Sequence, residues 1–255
     1  MHQNAVTLPV DGLDIVGQLY LPDKPTPHPT VCICHGIPAH IPDPGDRGYA
    51  LLAERICHEG MAVFIFNFRG TGASDGNLDI LGWTRDLKTV INYLWTLTEV
   101  DRSHLSLLGF SGGAAVAVYV TSSDPRISSI VTCACPAEFN FLTNGGDPQS
   151  IADHFRNINA IRDNEFPHSI DEWLDGFRLI SPITYVAEIA PKRLLLVHGS
   201  QDETVEVNDA HRLYAQAREP KQLIIVDDAG HRLRQDERTM TVVIDWLKSY
   251  VKIST

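Results

Sequence analysis

Ser111 stands in the sequence Gly109-Phe110-Ser111-Gly112-Gly113, between an apolar run at 105–108 and a run of small residues at 114–118. The first run reads as a short buried strand and the second as the start of a helix packed closely upon it. Glycines on both sides of the serine suit a turn too tight for side chains, and such a turn lifts the hydroxyl above the sheet edge. The chemistry on offer is nucleophilic attack. A serine hydroxyl is a poor nucleophile at neutral pH and needs a base to take its proton. The base in turn needs a carboxylate to fix its tautomer and stabilise its cationic form.

Asp202 and His231 meet those two requirements. His198-Gly199-Ser200-Gln201-Asp202 follows the apolar run 194–197, and Asp227-Asp228-Ala229-Gly230-His231 follows 223–226. Each therefore lies just past the C-terminal end of an expected strand, where catalytic groups gather in parallel α/β sheets. Glu203, Asp227 and Asp228 compete for the acid's role, and Asp202 leads because it stands one strand before the histidine. His35, His198 and His211 compete for the base; His35 and His198 are each followed by glycine and read as turn-shaping residues. Negative charge developing on a substrate carbonyl oxygen also calls for an oxyanion hole. Its expected donors are two backbone N–H groups. One is that of Gly112, at the positive end of the following helix. The other is that of Ile37 in His35-Gly36-Ile37-Pro38, since Pro38 has no N–H to give.

Converging these groups takes a scaffold, and the chain alternates strand-length apolar runs with helix-length amphipathic segments. Strands are expected at 30–34, 61–66, 105–108, 127–134, 193–197 and 222–226, and helices at 49–59, 83–98, 207–217 and 239–251. Residues 4–9 and 14–21 read as an antiparallel hairpin turning at Asp11-Gly12. The prolines between 22 and 29 mark a surface connection. The expected fold class is α/β: about eight strands in a mostly parallel sheet with helices on both faces, in one domain spanning 1–255. Residues 136–190 interrupt the alternation. Aromatic-rich, with helical character at 151–161 and 169–179, this insertion reads as a short helical lid. Phe139, Phe141 and Trp173 within it are expected to line an acyl or alcohol pocket, and Glu138, Asp153 and Glu165 are available to bind an amine.

The formal net charge of −11 over 255 residues argues against nucleic acid or an anionic membrane as a partner. No run approaches the ~20 apolar residues a bilayer span needs. The N-terminus lacks the basic start and apolar core of a signal peptide, so a cytoplasmic location is expected. Cys32, Cys34, Cys57, Cys133 and Cys135 read as small buried hydrophobes rather than as metal ligands. The glycines of 67–76 are spaced one residue too widely for a dinucleotide fingerprint, and the next helix starts too late to meet a phosphate. No metal or cofactor is expected. A small-molecule substrate is the expected partner, and a homodimer stays open.

Read in order, His35-Gly36, the Phe68-Arg69-Gly70-Thr71-Gly72-Ala73-Ser74-Asp75-Gly76 stretch, Gly109-Phe110-Ser111-Gly112-Gly113, His198-Gly199-Ser200-Gln201-Asp202 and Gly230-His231 resemble the motif series of the α/β-hydrolase superfamily. The resemblance covers essentially the whole chain. More narrowly, the chain is similar to single-domain carboxylesterases near the cinnamoyl/feruloyl esterases and the serine-aminopeptidase-like hydrolases, which keep a short insertion between the sixth and seventh strands. Phe110 departs from the many relatives that carry histidine there, without touching the three candidate catalytic residues. The resemblance implies ester hydrolysis without a cofactor, with Ser111 as nucleophile, His231 as base, Asp202 as acid and the Ile37 and Gly112 amides as oxyanion donors. Two other readings are a peptidase acting on short or proline-containing peptides and a non-catalytic binding protein on the same fold.

Overall fold

A computed structural model describes residues 1–40, 47–143 and 147–251, apart from the side chains of Phe141, Thr143 and Tyr250. The strands are β1 (His2–Val10), β2 (Leu13–Leu21), β3 (His28–Cys34), β4 (Ala62–Phe66), β5 (Val100–Phe110), β6 (Ser129–Cys133), β7 (Arg193–Gly199) and β8 (Lys221–Val226). The helices are α1 (Ala50–His58), α2 (Ile80–Thr96), α3 (Gly112–Ser123), α4 (Asn140–Thr143), α5 (Pro148–Asn157), α6 (Ile170–Leu179), α7 (Pro182–Tyr185), α8 (Val207–Gln216) and α9 (Glu237–Tyr250). The strands form one eight-stranded sheet in the order β1-β2-β4-β3-β5-β6-β7-β8. β1 and β2 pair antiparallel, as do β2 and β4, and every remaining pair is parallel.

The continuous apolar runs are explained by two cores, one on each face of the sheet. Successive side chains along a strand point to opposite faces. Leu107, Ile130, Leu194 and Leu196 accordingly join the core that also holds α2 and α3. Leu108, Val131, Leu195 and Val197 join the other core, with residues of α1 and α9. α3 is rich in alanine and valine and is buried nearly all round, so it has no polar stripe of its own. Its small side chains let it lie close beneath the sheet edge at the middle of the strand order.

The boundaries differ from the sequence expectation where polar side chains decide them. α2 starts at Ile80 rather than Trp83, because the Asp79 carboxylate accepts the Leu81 N–H at 3.1 Å and caps the helix. α5 runs over Pro148–Asn157 rather than 151–161. Asp147 caps it by accepting from Gln149 and Ser150, with a proline at its start. β5 begins earlier than expected, since its first half, with exposed polar residues, lacks the apolar signature of its second half.

At the sheet's antiparallel end, Arg69 follows β4 and sits buried against Asp86 of α2. Its guanidinium donates to Asp86 at 2.7 and 3.0 Å and to Asp11 at 2.9 Å, and its backbone N–H donates to Asp86 at 2.9 Å. Arg85 reaches the same Asp11 at 2.6 Å. Asp11 occupies the left-handed turn between β1 and β2, so this ion network ties the front hairpin to the body of the sheet.

Candidate active site

Ser111 sits at the junction of β5 and α3 with φ 50° and ψ −123°. A non-glycine residue held there stores about 1–3 kcal/mol of backbone strain and persists only when its surroundings fix it. Here they do: the Ser111 N–H donates to the Cys133 carbonyl at 2.9 Å, and its own carbonyl accepts from Ala114 and Ala115. The flanking glycines answer to close approach. A Cβ on Gly109 would lie 2.5 Å from the Ala114 Cα, and one on Gly113 would lie 2.1 Å from the His35 carbonyl oxygen.

The structure brings Ser111, His231 and Asp202 into one line. Ser111 Oγ lies 3.1 Å from His231 Nε2. His231 Nδ1 lies 3.0 and 2.9 Å from the two Asp202 oxygens. The carboxylate fixes the proton on Nδ1 and leaves the Nε2 lone pair facing the hydroxyl. Asp202 is wholly buried at its side chain, while His231 keeps 24% exposure. Burial pushes the Asp202 carboxyl up. Hydrogen bonds from His198, from His231 and from the Val205 N–H together outweigh that and hold it well below the usual carboxylate range. It therefore stays anionic opposite His231 throughout the neutral range.

His198 is the partner that sequence reasoning passed over as a turn residue. Its ring is buried in β7, and Nε2 lies 2.9 Å from the Val205 carbonyl and 3.3 Å from Asp202 Oδ2. Asp202 also accepts the Thr204 and Val205 amides, each at 2.9 Å. The rival acids stand elsewhere: Glu203, Asp227 and Asp228 are exposed, and among the described residues none bonds to His231. His211 lies exposed on α8.

The loop after β3 passes directly beside Ser111. A Cβ on Gly36 would stand 3.1 Å from Ser111 Cβ, and one on Gly112 would stand 2.6 Å from the Ile37 side chain. The two expected oxyanion donors thus belong to backbone segments that flank Ser111. Gly112, as the first residue of α3, has an N–H with no carbonyl below it in the helix. His35 props this loop from behind. Its Nδ1 donates to the Gly36 carbonyl at 2.8 Å, and its Nε2 accepts the Phe68 N–H at 3.1 Å. The ring packs edge-on against Phe68 and Trp83. Burial pushes the His35 imidazole down to about 4, against the opposing pull of the Gly36 carbonyl. The glycine-containing 67–76 stretch therefore serves the site structurally, by presenting the Phe68 amide to His35.

A cavity of about 590 Å³ opens above Ser111 and His231, walled by apolar groups that include Tyr49, Phe110, Leu142, Ile151 and Phe155. The last three come from the insertion, so α4 and α5 do line the cavity that holds Ser111. The expected aromatic lining needs correction, because Phe139 and Trp173 do not reach the cavity. Both are buried and pack on Phe177, with ring centroids 5.3 and 5.4 Å away. Trp173 also needs a partner for its indole N–H and finds it in the Leu78 carbonyl at 2.8 Å, which draws it under the insertion. The Phe141 side chain lies outside the described residues. The acids offered for amine binding are also turned away: Glu138 pairs with Arg212 and Asp153 with Arg156, while Glu165 is exposed and lines no described cavity.

Among the described residues no group of three or more His, Cys, Asp or Glu side chains is placed to hold a metal ion. The five cysteines are free and buried. No helix of the described residues is long and apolar enough to cross a membrane.

Residues 50–254 match the prolyl oligopeptidase family, Peptidase_S9. The chain belongs to that family. Its sheet order and paired cores are those of an α/β-hydrolase, as solved structures also show. Est1E from Butyrivibrio proteoclasticus, described with ferulic acid bound, superimposes with a TM-score of 0.71 at 20% identity, over 96% of this chain and 97% of that one. A puromycin hydrolase superimposes with a TM-score of 0.74 at 18% identity, over 98% of this chain but 39% of that one. Among curated proteins, YfhR of Salmonella typhimurium is 30% identical over 174 residues, which is 66% of this chain. The chain spans about half the length of the curated relatives it matches first, 54% in the case of YfhR.

Proposed function

We propose that this chain is a serine hydrolase that cleaves carboxylic esters of small or aromatic acids. The observation that carries the reading is the Ser111–His231–Asp202 line, set at a strained turn at the mouth of an apolar cavity. His231 takes the hydroxyl proton as Ser111 Oγ attacks the ester carbonyl. The backbone N–H groups of Gly112 and Ile37 hold the oxyanion, and Asp202 stabilises the imidazolium. His231 then gives its proton to the departing alcohol. A water activated by the same ring next cleaves the acyl-enzyme and regenerates Ser111. The insertion acts as a lid whose α4 and α5 bound the acyl or alcohol group.

The test is direct. The Ser111→Ala protein should lose p-nitrophenyl butyrate hydrolysis by on the order of 10⁴-fold or more, and labelling by a fluorophosphonate probe with it. Activity left intact in that variant would sink the reading.

Family membership and the likeness to a puromycin hydrolase favour a second reading, cleavage of amide bonds in short peptides. Against an aminopeptidase stands the cavity lining, in which no described residue is a carboxylate that could hold a free amino terminus. Comparing an aminoacyl-naphthylamide with the matching naphthyl ester separates the two.

A further inference from the structure

A second cavity of about 990 Å³ adjoins the first and shares with it Gly36, Pro38, His40, Tyr49, Arg232 and Arg234. The chain as a whole is acidic, with 32 Asp and Glu against 21 Lys and Arg. The described lining of the two cavities inverts that balance. Arg47, Arg162, Arg232 and Arg234 line them, and among the described lining residues none is Asp or Glu. Two of the four cations already have roles: Arg47 pairs with Glu54, and Arg234 donates to the Gly48 carbonyl and lies over Tyr49.

The other two pair with no carboxylate among the described residues. Arg162 is held by backbone carbonyls alone, donating to Ser74, Gly72 and Asn159 at 2.6, 3.0 and 3.3 Å. Three of its five N–H groups are thereby used, and its planar fork is fixed in place with two donors to spare. Arg232, exposed, directly follows His231, and among the described residues its guanidinium bonds to His40 at 3.4 Å. A guanidinium fixed by carbonyls rather than by an acid keeps its full charge for an incoming group. Its fork matches the geometry of an anionic oxygen group.

Resting on the hydrolase reading above, the geometry points to substrates that carry an anionic oxygen group, carboxylate or phosphate. The scissile carbonyl sits at Ser111, and the anion reaches into the second cavity between Arg232 and Arg162. The apolar wall of the first cavity takes the rest of the molecule. Substrate entry into an acidic protein is then guided by a local reversal of potential.

Two matched pairs test this: 3-acetoxybenzoate against phenyl acetate, with the anion on the alcohol side, and monophenyl glutarate against phenyl butyrate, with the anion on the acyl side. At least one anionic ester should exceed its neutral partner about tenfold in kcat/KM. That ratio should shrink as salt screens the charge. It should fall to threefold or less in Arg232→Gln and recover in Arg232→Lys. Calorimetry on the Ser111→Ala protein supplies a readout that needs no turnover: benzoate or phenyl phosphate should bind at least tenfold tighter than benzyl alcohol. Hydrolysis of neutral esters with no anionic preference in either pair, or equal binding of all three ligands, overturns the proposal while leaving the hydrolase reading intact. Loss of turnover with every ester, together with anion-selective binding, sinks the hydrolase reading and supports the anion site.

Discussion

The imidazole of His35 donates from Nδ1 to the Gly36 carbonyl and accepts at Nε2 from the Phe68 amide, so a second ring proton must displace that amide. With its folded value pushed down to about 4 and the ordinary value near 6.5, the ring is neutral in both folded and unfolded chains above pH 6.5. As pH falls from 6.5 towards 4, the unfolded chain binds a proton that the folded one refuses. Stability is therefore full above 6.5 and declines through this window, by about 2 kcal/mol between pH 7 and pH 5. Urea unfolding at the two pH values checks this. The decline should be smaller by about that amount in His35→Gln, and an equal decline in both proteins would rule the account out. Ser111, Asp202 and His231 were legible in the sequence because each stands just after an apolar run, which fixes it at a strand's C-terminal end. His198 was not, since its bond to Asp202 depends on how the Gly199-Ser200 turn folds back. Its spacing of four residues before an acid, at the end of a strand, is the signal that was available.

At the scale of elements, α5 faces Ser111 with one side and, with the other, the core that the insertion shares with α2 and α3. Ile151 lies on the cavity side, while Phe155 reaches both the cavity and Trp173. Filling the space at Ile151, which also packs against the core from the side, should thus shorten the acyl chains accepted. Ile151→Trp is expected to lower kcat/KM for p-nitrophenyl octanoate relative to the acetate by tenfold or more, measured as a ratio across an acyl-length series. An unchanged ratio would mean that acyl groups do not lie against α5. Apolar composition alone did not tell which insertion aromatics would face the cavity. The choice was made by one polar atom, the Trp173 indole nitrogen, whose partner is a carbonyl at Leu78, 95 residues away in sequence. The central strands were easier to read, because burial on both faces leaves an unbroken apolar run that competes with no other pattern.

For the molecule as a whole, the Arg69–Asp86 pair is the point where the antiparallel hairpin, the loop after β4 and α2 are joined. Removing one partner strands a buried charge, so Asp86→Ala should cost about 3–5 kcal/mol in denaturant unfolding. A loss below 1 kcal/mol would show that the hairpin is held by its strand pairing and apolar packing without need of the ion network. The overall architecture was visible in the alternation of strand and helix signals, whereas this network was hidden because its members are scattered from residue 11 to residue 86. A last consequence follows from where the parts of the site are attached. Ser111, Asp202 and His231 are borne by the ends of β5, β7 and β8, and His198 ties the acid to the sheet interior. One side of the cavity wall, with Leu142, Ile151 and Phe155, hangs on a separate excursion between β6 and β7. The Ser111–His231–Asp202 line and that part of the wall are therefore inherited through different stretches of chain. The excursion can be exchanged, lengthened or recombined with that of a relative, and each new wall would face the same Ser111–His231–Asp202 line.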